Sequence, residues 1–196
     1  MDSTSPNGTL INLLAVIDTG WVKSTCMRPS QDPSHPTQVD ARGVFMFCSG
    51  EHEVTKDPVT DLSCITVGAG RQMVLRAVSG SNNADDAVIV YAVRTRSSAD
   101  NLVATPFNPV VVTLDAAVQP DPDSPDGGIP PLAVEMNFSS LNSSAVVMAP
   151  RLLTADFGLY TLAPDGHSQQ LHGYFRWVFR LQRENPSVLP DVKAAG

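Results

Sequence analysis

A two-residue alternation near the C-terminus constrains the fold of this chain most. Between Leu171 and Gln182 the odd-numbered positions are apolar or glycine, and the even-numbered positions include His172, Arg176 and Arg180. Neighbouring side chains of a strand point to opposite faces of a sheet, so this segment has one apolar face and one face for water or a partner. Such a strand is typical of a sandwich of two packed sheets.

Similar patterns predict nine further short strands, separated by turns rich in glycine, proline and asparagine. They cover residues 10–17, 44–49, 62–67, 72–78, 87–93, 110–118, 132–138, 145–149 and 156–162. Segment 87–93 is apolar on both faces and is predicted to be a central strand. No window of a dozen residues shows a helical stripe, and 16 prolines suit strands and turns better than helices. We therefore predict an all-β fold: a two-sheet antiparallel β-sandwich of about ten short strands, with a jelly roll as one variant.

The length of 196 residues fits one large domain, or at most two small ones. We expect a flexible N-terminus at residues 1–8, the β-sandwich domain at 9–184 and a peripheral C-terminal tail at 185–196. The tail contains two prolines and no periodicity, which is typical of a chain end that packs loosely.

Composition excludes several classes of partner. The net charge is −7 and no run of basic residues exists, so we expect no nucleic-acid partner. No apolar stretch approaches the roughly 20 residues that span a bilayer, and we expect no membrane partner. The start of the chain lacks the cationic segment and cleavage site of a signal peptide, which predicts a cytoplasmic protein.

The three cysteines agree with a reducing compartment, because their number is odd and none forms a C-x-x-C pair. Cys48 and Cys64 lie within predicted strands, where core packing is the favoured interpretation. Cys26 lies in a polar segment and is the thiol best placed to react, although no motif gives it a catalytic role.

The sequence Asp18-Thr19-Gly20 matches the signature of aspartic proteases, in which the aspartate shares a proton with a second carboxylate. A second such motif is absent from the sequence, and Trp21 follows Gly20 where the proteases have a small residue. We expect Asp18 to end an edge strand and cap a turn, with an aspartic protease at Asp18 as a remote alternative.

The loop Asp121–Gly127 resembles a calcium loop, but its third aspartate comes one place late and Pro125 removes an amide donor. A solvated acidic turn is the favoured interpretation, and a weak surface calcium site is the alternative. The four histidines have no metal-ligand spacing, and no nucleotide-binding or hydrolase motif occurs. We therefore predict no catalytic residues, no metal site and no cofactor.

Several polar and aromatic residues fall at strand ends or in loops, where a sandwich domain could bind a small ligand or a carbohydrate. Asp85 and Asp86 precede a strand, so turn closure is the favoured interpretation for both and ligand contact the alternative. The candidate ligand-binding residues are Asp18, Trp21, Asp32, Asp85, Asp86 and Asn108.

An ordered set of short phrases carries a resemblance to a known family. The set includes Val16-Ile17-Asp18-Thr19, Trp21-Val22-Lys23, Ser30-Gln31-Asp32-Pro33, Phe45-Met46-Phe47-Cys48, Asp85-Asp86-Ala87-Val88, Phe107-Asn108-Pro109, Pro122-Asp123-Ser124-Pro125-Asp126-Gly127 and Gly173-Tyr174-Phe175-Arg176-Trp177. Each phrase alone is weak, whereas their order is specific. Over residues 10–180 the chain resembles the AidA/PixA inclusion-body family of bacteria.

Members of that family include a quorum-sensing-controlled protein linked to host interaction and a methionine-rich protein that accumulates as cytoplasmic inclusions. The resemblance implies a non-enzymatic, self-associating protein, a homo-oligomer, under quorum-sensing control and with an accessory role in host interaction. A module that binds a small ligand or a carbohydrate is the alternative. Six methionines do not make a methionine-rich chain, which speaks against a storage role.

Overall fold

The computed structural model describes residues 10–49, 53–67, 72–96, 102–104, 107–143 and 151–183. The predicted flexible segment 1–8, the predicted tail 185–196 and the predicted strand 145–149 lie outside these residues.

The described residues form twelve strands, one short α-helix and one 3-10 helix at Ala41–Gly43. In chain order they are β1 (Ile11–Ile17), α1 (Thr19–Thr25), β2 (Thr37–Gln38), β3 (Val44–Cys48), β4 (Val54–Lys56), β5 (Ser63–Val67), β6 (Met73–Ser79), β7 (Asp86–Arg96), β8 (Leu102–Ala104), β9 (Phe107–Gln119), β10 (Leu132–Ser143), β11 (Arg151–Leu162) and β12 (Gln169–Arg183).

The strands form two sheets in a sandwich-like arrangement, which confirms the predicted all-β fold class. Sheet A has the order β3-β1-β6-β10-β9, and sheet B has the order β4-β5-β12-β11-β7-β8 with β2 also paired to β12. Three pairings are parallel: β1 with β6, β12 with β5, and β12 with β2. The expectation of purely antiparallel sheets is wrong at these pairs, and a jelly roll of antiparallel Greek keys does not describe them. A period of two shows which face of a strand is buried, but it carries no information on the direction of the neighbouring strand.

The core lies between the sheets and is richest in aromatic residues along β11 and β12. Phe157 is fully buried, and its ring lies 5.4 Å from the ring of Phe175 and 5.5 Å from that of Trp177. Burial of each such side chain contributes on the order of 2 kcal/mol or more through the hydrophobic effect. The face that these rings occupy is the apolar face predicted from the alternation in β12.

Every predicted strand within the described residues overlaps an observed one, but the assignment of 87–93 as a central strand needs correction. Its strand β7 lies between β11 and the three-residue β8, which it pairs only at Arg94–Arg96. Ile89 in β7 is 49% exposed, whereas β11 is buried from Leu153 to Leu159. A strand that is apolar on both faces can lie at the centre of a sheet or near its edge. Its position depends on which strands pair with it.

Candidate functional site

An open cleft of about 360 Å³ lies at the end of sheet A where β1 and β6 both stop. These two strands are parallel, so their carboxyl ends meet at the same edge. Neighbouring β3 contributes Phe45, which pairs with Val16 and is 49% exposed. The cleft is lined by Val16, Ile17, Asp18, Thr19, Phe45, Gly80 and Ser81.

Asp18 joins β1 to the helix. One oxygen of its carboxylate accepts a hydrogen bond from the backbone N–H of Trp21 at 2.8 Å, which makes Asp18 the N-cap of α1. Strand β1 lies between β3 and β6, so it is an interior strand and the expected edge position is wrong. The Asp-Thr-Gly sequence thus has a structural use that requires no second carboxylate.

A partly buried polar network connects the helix to sheet B. The Thr19 hydroxyl donates to one oxygen of Asp86 at 2.7 Å, and Lys23 Nζ donates to both oxygens at 2.7 and 2.8 Å. Burial of Asp86 opposes its ionisation, but the hydrogen bonds from Lys23 and Thr19 outweigh burial and hold the pKa of Asp86 below its ordinary value of 3.8. Asp86 therefore serves as a charged anchor between the two sheets.

Trp21 packs on the outer side of α1 against the chain that leads into β3. The Arg42 guanidinium lies 5.1 Å from the centre of its indole ring, a cation–π distance. A Cβ atom at Gly43 would meet Trp21 Cδ1 at 2.7 Å, so only glycine allows this approach. Trp21 Nε1 is buried without a hydrogen-bond partner among the described residues.

The remaining candidates from the sequence lie elsewhere. Asp32 closes an exposed loop by accepting from Ser34 N at 2.8 Å and contacting His35 Nδ1 at 2.7 Å, and the His35 hydrogen bond is the main cause of its lowered pKa. Asp85 is exposed next to Asp86, and Asn108 is exposed in β9. The structure thus brings Asp18, Trp21 and Asp86 together around α1, with Asp85 beside them, but not Asp32 or Asn108.

Sequence reasoning missed a buried charge cluster on the outer face of sheet B. Asp156 in β11 is 0% exposed and accepts from Arg176 Nε at 2.5 Å, Arg176 Nη2 at 2.8 Å and Arg94 Nη1 at 3.1 Å. Burial, followed by the nearby Asp156 carboxylate, raises the pKa of Tyr91 to about 12. A lone aspartate in an otherwise apolar strand was the signal, since such a charge requires a cationic partner.

The hairpin formed by β9 and β10 has an unusual surface. β9 is the edge strand of sheet A, and its Val111, Val112 and Val118 are 66%, 48% and 70% exposed. Val111 and Val112 are consecutive residues of a strand, so apolar side chains meet solvent on both faces. Residues 107–143 include aspartates 115, 121, 123 and 126 and Glu135, but no lysine, arginine or histidine.

The predicted acidic turn at Asp121–Gly127 lies in the connection of this hairpin. Asp121 accepts from the backbone N–H of Asp123 at 2.9 Å, and Gly127 and Gly128 adopt positive φ values of 68° and 101°. Among the described residues, no group of three or more histidine, cysteine, aspartate or glutamate side chains is placed to hold a metal ion.

The cysteines are free thiols. Cys48 and Cys64 lie in β3 and β5 as predicted, and burial raises the pKa of both thiols. Cys26 follows α1 as its C-cap and is half-buried, with its N–H donating to the carbonyl of Val22. Across the described part of the chain, no helix has the length and apolar character to cross a membrane.

These features define a class of protein: an all-β sandwich of two mixed sheets, with a rim cleft around a short helix and a long exposed hairpin at one sheet edge. The family model described as PixA inclusion body protein matches residues 9–182. The chain belongs to the PixA inclusion body protein family.

Among solved structures, the chain is similar to the crystal structure of an inclusion body protein of the PixA family from Burkholderia cenocepacia J2315. The TM-score is 0.71 at 24% identity, and the match covers 94% of this chain and 100% of the other. At this identity the likeness shows a shared fold. A comparison with curated proteins gave no match.

Proposed function

We propose that this protein associates with copies of itself and that the β9–β10 hairpin is the contact surface. The observation that carries the proposal is the edge strand β9, which is 13 residues long and pairs with β10 on one side only. Among the described residues, no strand pairs with the other edge of β9.

Edge strands of soluble proteins are usually protected by lysine, by proline or by shortness. After Pro109, the rest of β9 carries a single charge, Asp115, and exposes four large apolar side chains. The exposed apolar residues of β9 are Val111, Val112, Leu114 and Val118. Exposed apolar side chains concentrated on one strand are typical of a protein–protein contact.

Membership of a family described as inclusion body proteins supports the same proposal. A non-enzymatic role in the cytoplasm fits a protein that acts by assembly. Quorum-sensing control and an accessory role in host interaction rest on the family resemblance. They are tested by transcript levels with and without the autoinducer and by the host phenotype of a deletion strain.

The test of self-association is light scattering coupled to size exclusion over a wide concentration range. The wild-type mass should rise above the 20.9 kDa of one chain with concentration. The double variant Val111→Thr/Val118→Thr should stay near one chain, because it removes apolar surface from the hairpin and keeps β-branched residues. Val59→Thr is the matched control, since Val59 is 90% exposed in a turn outside the hairpin. A wild type with the mass of one chain at every concentration would contradict the proposal.

A second candidate function is binding of a small carbohydrate in the cleft. Phe45 offers an exposed aromatic face beside the carboxylate of Asp18 and the hydroxyl of Ser81. Sugars stack C–H groups on aromatic rings and donate hydroxyl hydrogens to carboxylates, and pockets that bind them combine these elements.

A glycan array followed by thermal-shift titration with the sugars that bind tests this second function. Phe45→Ala should abolish binding, and Asp18→Asn should weaken it while retaining the helix cap. Phe47→Ala is the matched control, because Phe47 is 56% exposed in the same strand but does not line the cleft. An array on which the wild type binds no glycan would exclude this function.

A further inference from the structure

The distribution of charged side chains indicates which surface of a second copy the β9–β10 hairpin contacts. Resting on the self-association proposed above, we propose that the hairpin of one copy docks on the arginine face of the next copy. The arginine face is the outer face of sheet B at Arg94, Arg176 and Arg180. The contact joins two different surfaces and is therefore heterologous.

The hairpin side of this contact is acidic. Pairing between β9 and β10 shifts from Leu114–Met136 to Ala117–Val134, so a bulge brings Asp115 and Glu135 to neighbouring positions. Both side chains are exposed, and residues 107–143 contain no cationic residue to offset them. Neighbouring like charges across a strand pair are unfavourable, and a cationic partner relieves this repulsion.

The opposite side of the contact is cationic. Its three arginines, Arg94, Arg176 and Arg180, pair with only two carboxylates, Asp156 and Asp57, although the whole chain has a net charge of −7. Arg94 and Arg176 share the single carboxylate of Asp156, which leaves one cationic charge in surplus. Arg180 Nη1 donates to Asp57 at 2.9 Å, so its charge is offset, and the side chains of Arg94 and Arg180 are 27% and 36% exposed.

Arginine also suits the apolar part of the hairpin. Its aliphatic stem packs against apolar surface while the guanidinium binds a carboxylate. Ile89, which is 49% exposed on β7, extends the apolar character of sheet B's outer surface. The arginine face can therefore receive both the valines of β9 and the carboxylates at the bulge.

Charge disfavours the symmetric arrangement in which two hairpins contact each other. Such a contact would bring the carboxylates of two hairpins together, and they would repel each other. Docking on the arginine face places the same carboxylates next to cations, which attract them. A heterologous contact leaves one free hairpin and one free arginine face on every pair of copies. Growth then continues into a filament or closes into a ring.

The experiment uses two charge-reversed variants of the full chain. The hairpin variant is Asp115→Lys/Glu135→Lys. The face variant is Arg180→Glu/Gln182→Glu, which leaves Arg94 and Arg176 on the buried Asp156. Each variant alone should have the mass of one chain in light scattering, because its two surfaces now repel. An equimolar mixture should assemble, since each hairpin meets a face of opposite charge on the other variant.

Glu53→Lys is the control, because it changes an exposed charge in the same direction outside both surfaces and should assemble like the wild type.

Raising NaCl from about 0.05 to about 0.5 M should lower the wild-type association constant about tenfold or more, since salt screens exposed charges. Circular dichroism verifies that both variants fold. If either does not, the neutral variants Asp115→Asn/Glu135→Gln and Arg180→Gln replace them and should each weaken assembly about tenfold, on the order of 1.4 kcal/mol.

A face variant that assembles like the wild type would overturn the heterologous contact and leave self-association intact. A mixture that stays monomeric although each variant folds would also overturn it. A wild type that is monomeric at every concentration and salt would instead remove the self-association on which this inference rests.

Discussion

The β11–β12 pair and the β9–β10 hairpin are alike in construction and opposite in environment. Both are antiparallel ladders between strands of at least 12 residues, and each contains one register shift. Yet β11 is buried from Leu153 to Leu159, whereas β9 exposes most of its side chains. The difference lies in the neighbours. β11 pairs with strands on both sides, while β9 pairs on one side only among the strands that the structure describes.

The same comparison holds for charge. The central pair buries Asp156 and pairs it with two arginines, while the hairpin exposes Asp115 and Glu135 without a cation in residues 107–143. A buried charge must be paired within the fold, whereas an exposed charge is stabilised by water and can pair with a group on another molecule. One pair of strands therefore supplies stability, and the other is available for assembly.

The largest effect is expected from matched aromatic truncations. Phe157→Ala should lower the free energy of unfolding by about 4 kcal/mol, because it opens a cavity between Phe175 and Trp177. Phe138→Ala in the hairpin should cost less than about 1 kcal/mol, since Phe138 is 42% exposed. Urea denaturation of the monomer at low concentration measures both. Equal losses would contradict the assignment of β9–β10 as a surface element.

Charge removal should separate the two regions nearly as strongly. Asp156→Ala should lower the free energy of unfolding by about 3 kcal/mol, because it leaves Arg176 partly buried without its carboxylate. Asp115→Ala should change the free energy of unfolding by no more than about 0.5 kcal/mol. The change should be an increase, because the substitution removes the like-charge repulsion with Glu135. Thermal unfolding followed by circular dichroism makes the comparison, and a loss at Asp115 that matches the loss at Asp156 would refute it.

Two glycines give a smaller contrast. A Cβ at Gly173 in β12 would lie 2.5 Å from Pro29 Cβ, so Gly173→Ala should cost about 2 kcal/mol through overpacking. Gly127 in the hairpin connection has open space around it but a φ of 68°, so Gly127→Ala should cost only about 1 kcal/mol. The reverse order in denaturant midpoints would mean that the loop ending at Pro29 does not pack on β12.

The smallest effect concerns pH. The pKa of Asp86 is lowered in the folded protein, so its contribution to stability is present above the ordinary pKa of 3.8 and is lost as pH falls through the folded value. Asp86→Asn should therefore flatten the acid decline of the free energy of unfolding below about pH 4. Lys23→Met should flatten it too, because it removes two of the hydrogen bonds that favour the carboxylate. Identical acid slopes for wild type and Asp86→Asn would exclude this role.

Much of the fold follows from local pattern. The alternation in β12 correctly predicts which side chains form the aromatic core. The sequence predicts that Asp18 caps a turn after an edge strand, and it instead caps the helix α1 after the interior strand β1. The seven-residue helix α1 escapes prediction because two turns are too short to show a helical stripe. The three-residue strands β4 and β8 escape it because an alternation needs more positions to be visible.

Of the candidate site, the sequence located Asp18, Trp21 and Asp86 but showed no relation among them. Their proximity depends on α1 packing between the ends of β1 and β7, with Lys23 and Thr19 on Asp86. Asp32 and Asn108 also fall in loops or near strand ends, yet they lie at other edges of the sheets. Whether a residue lies at the end of a strand depends on the residues next to it in the sequence. Whether two residues line the same cleft depends on how distant segments pack together.

The sequence by itself determined the all-β class, the inward face of β12 and the excess of acid in residues 107–143. Side chains alternate along any strand, so these features follow from adjacent residues alone. Only the tertiary structure decided which pairs are parallel, that Asp156 is buried beneath two arginines, and that β9 stands at an edge. Each of these depends on segments far apart in the chain, because burial and partnership are set by the strands that come to lie alongside.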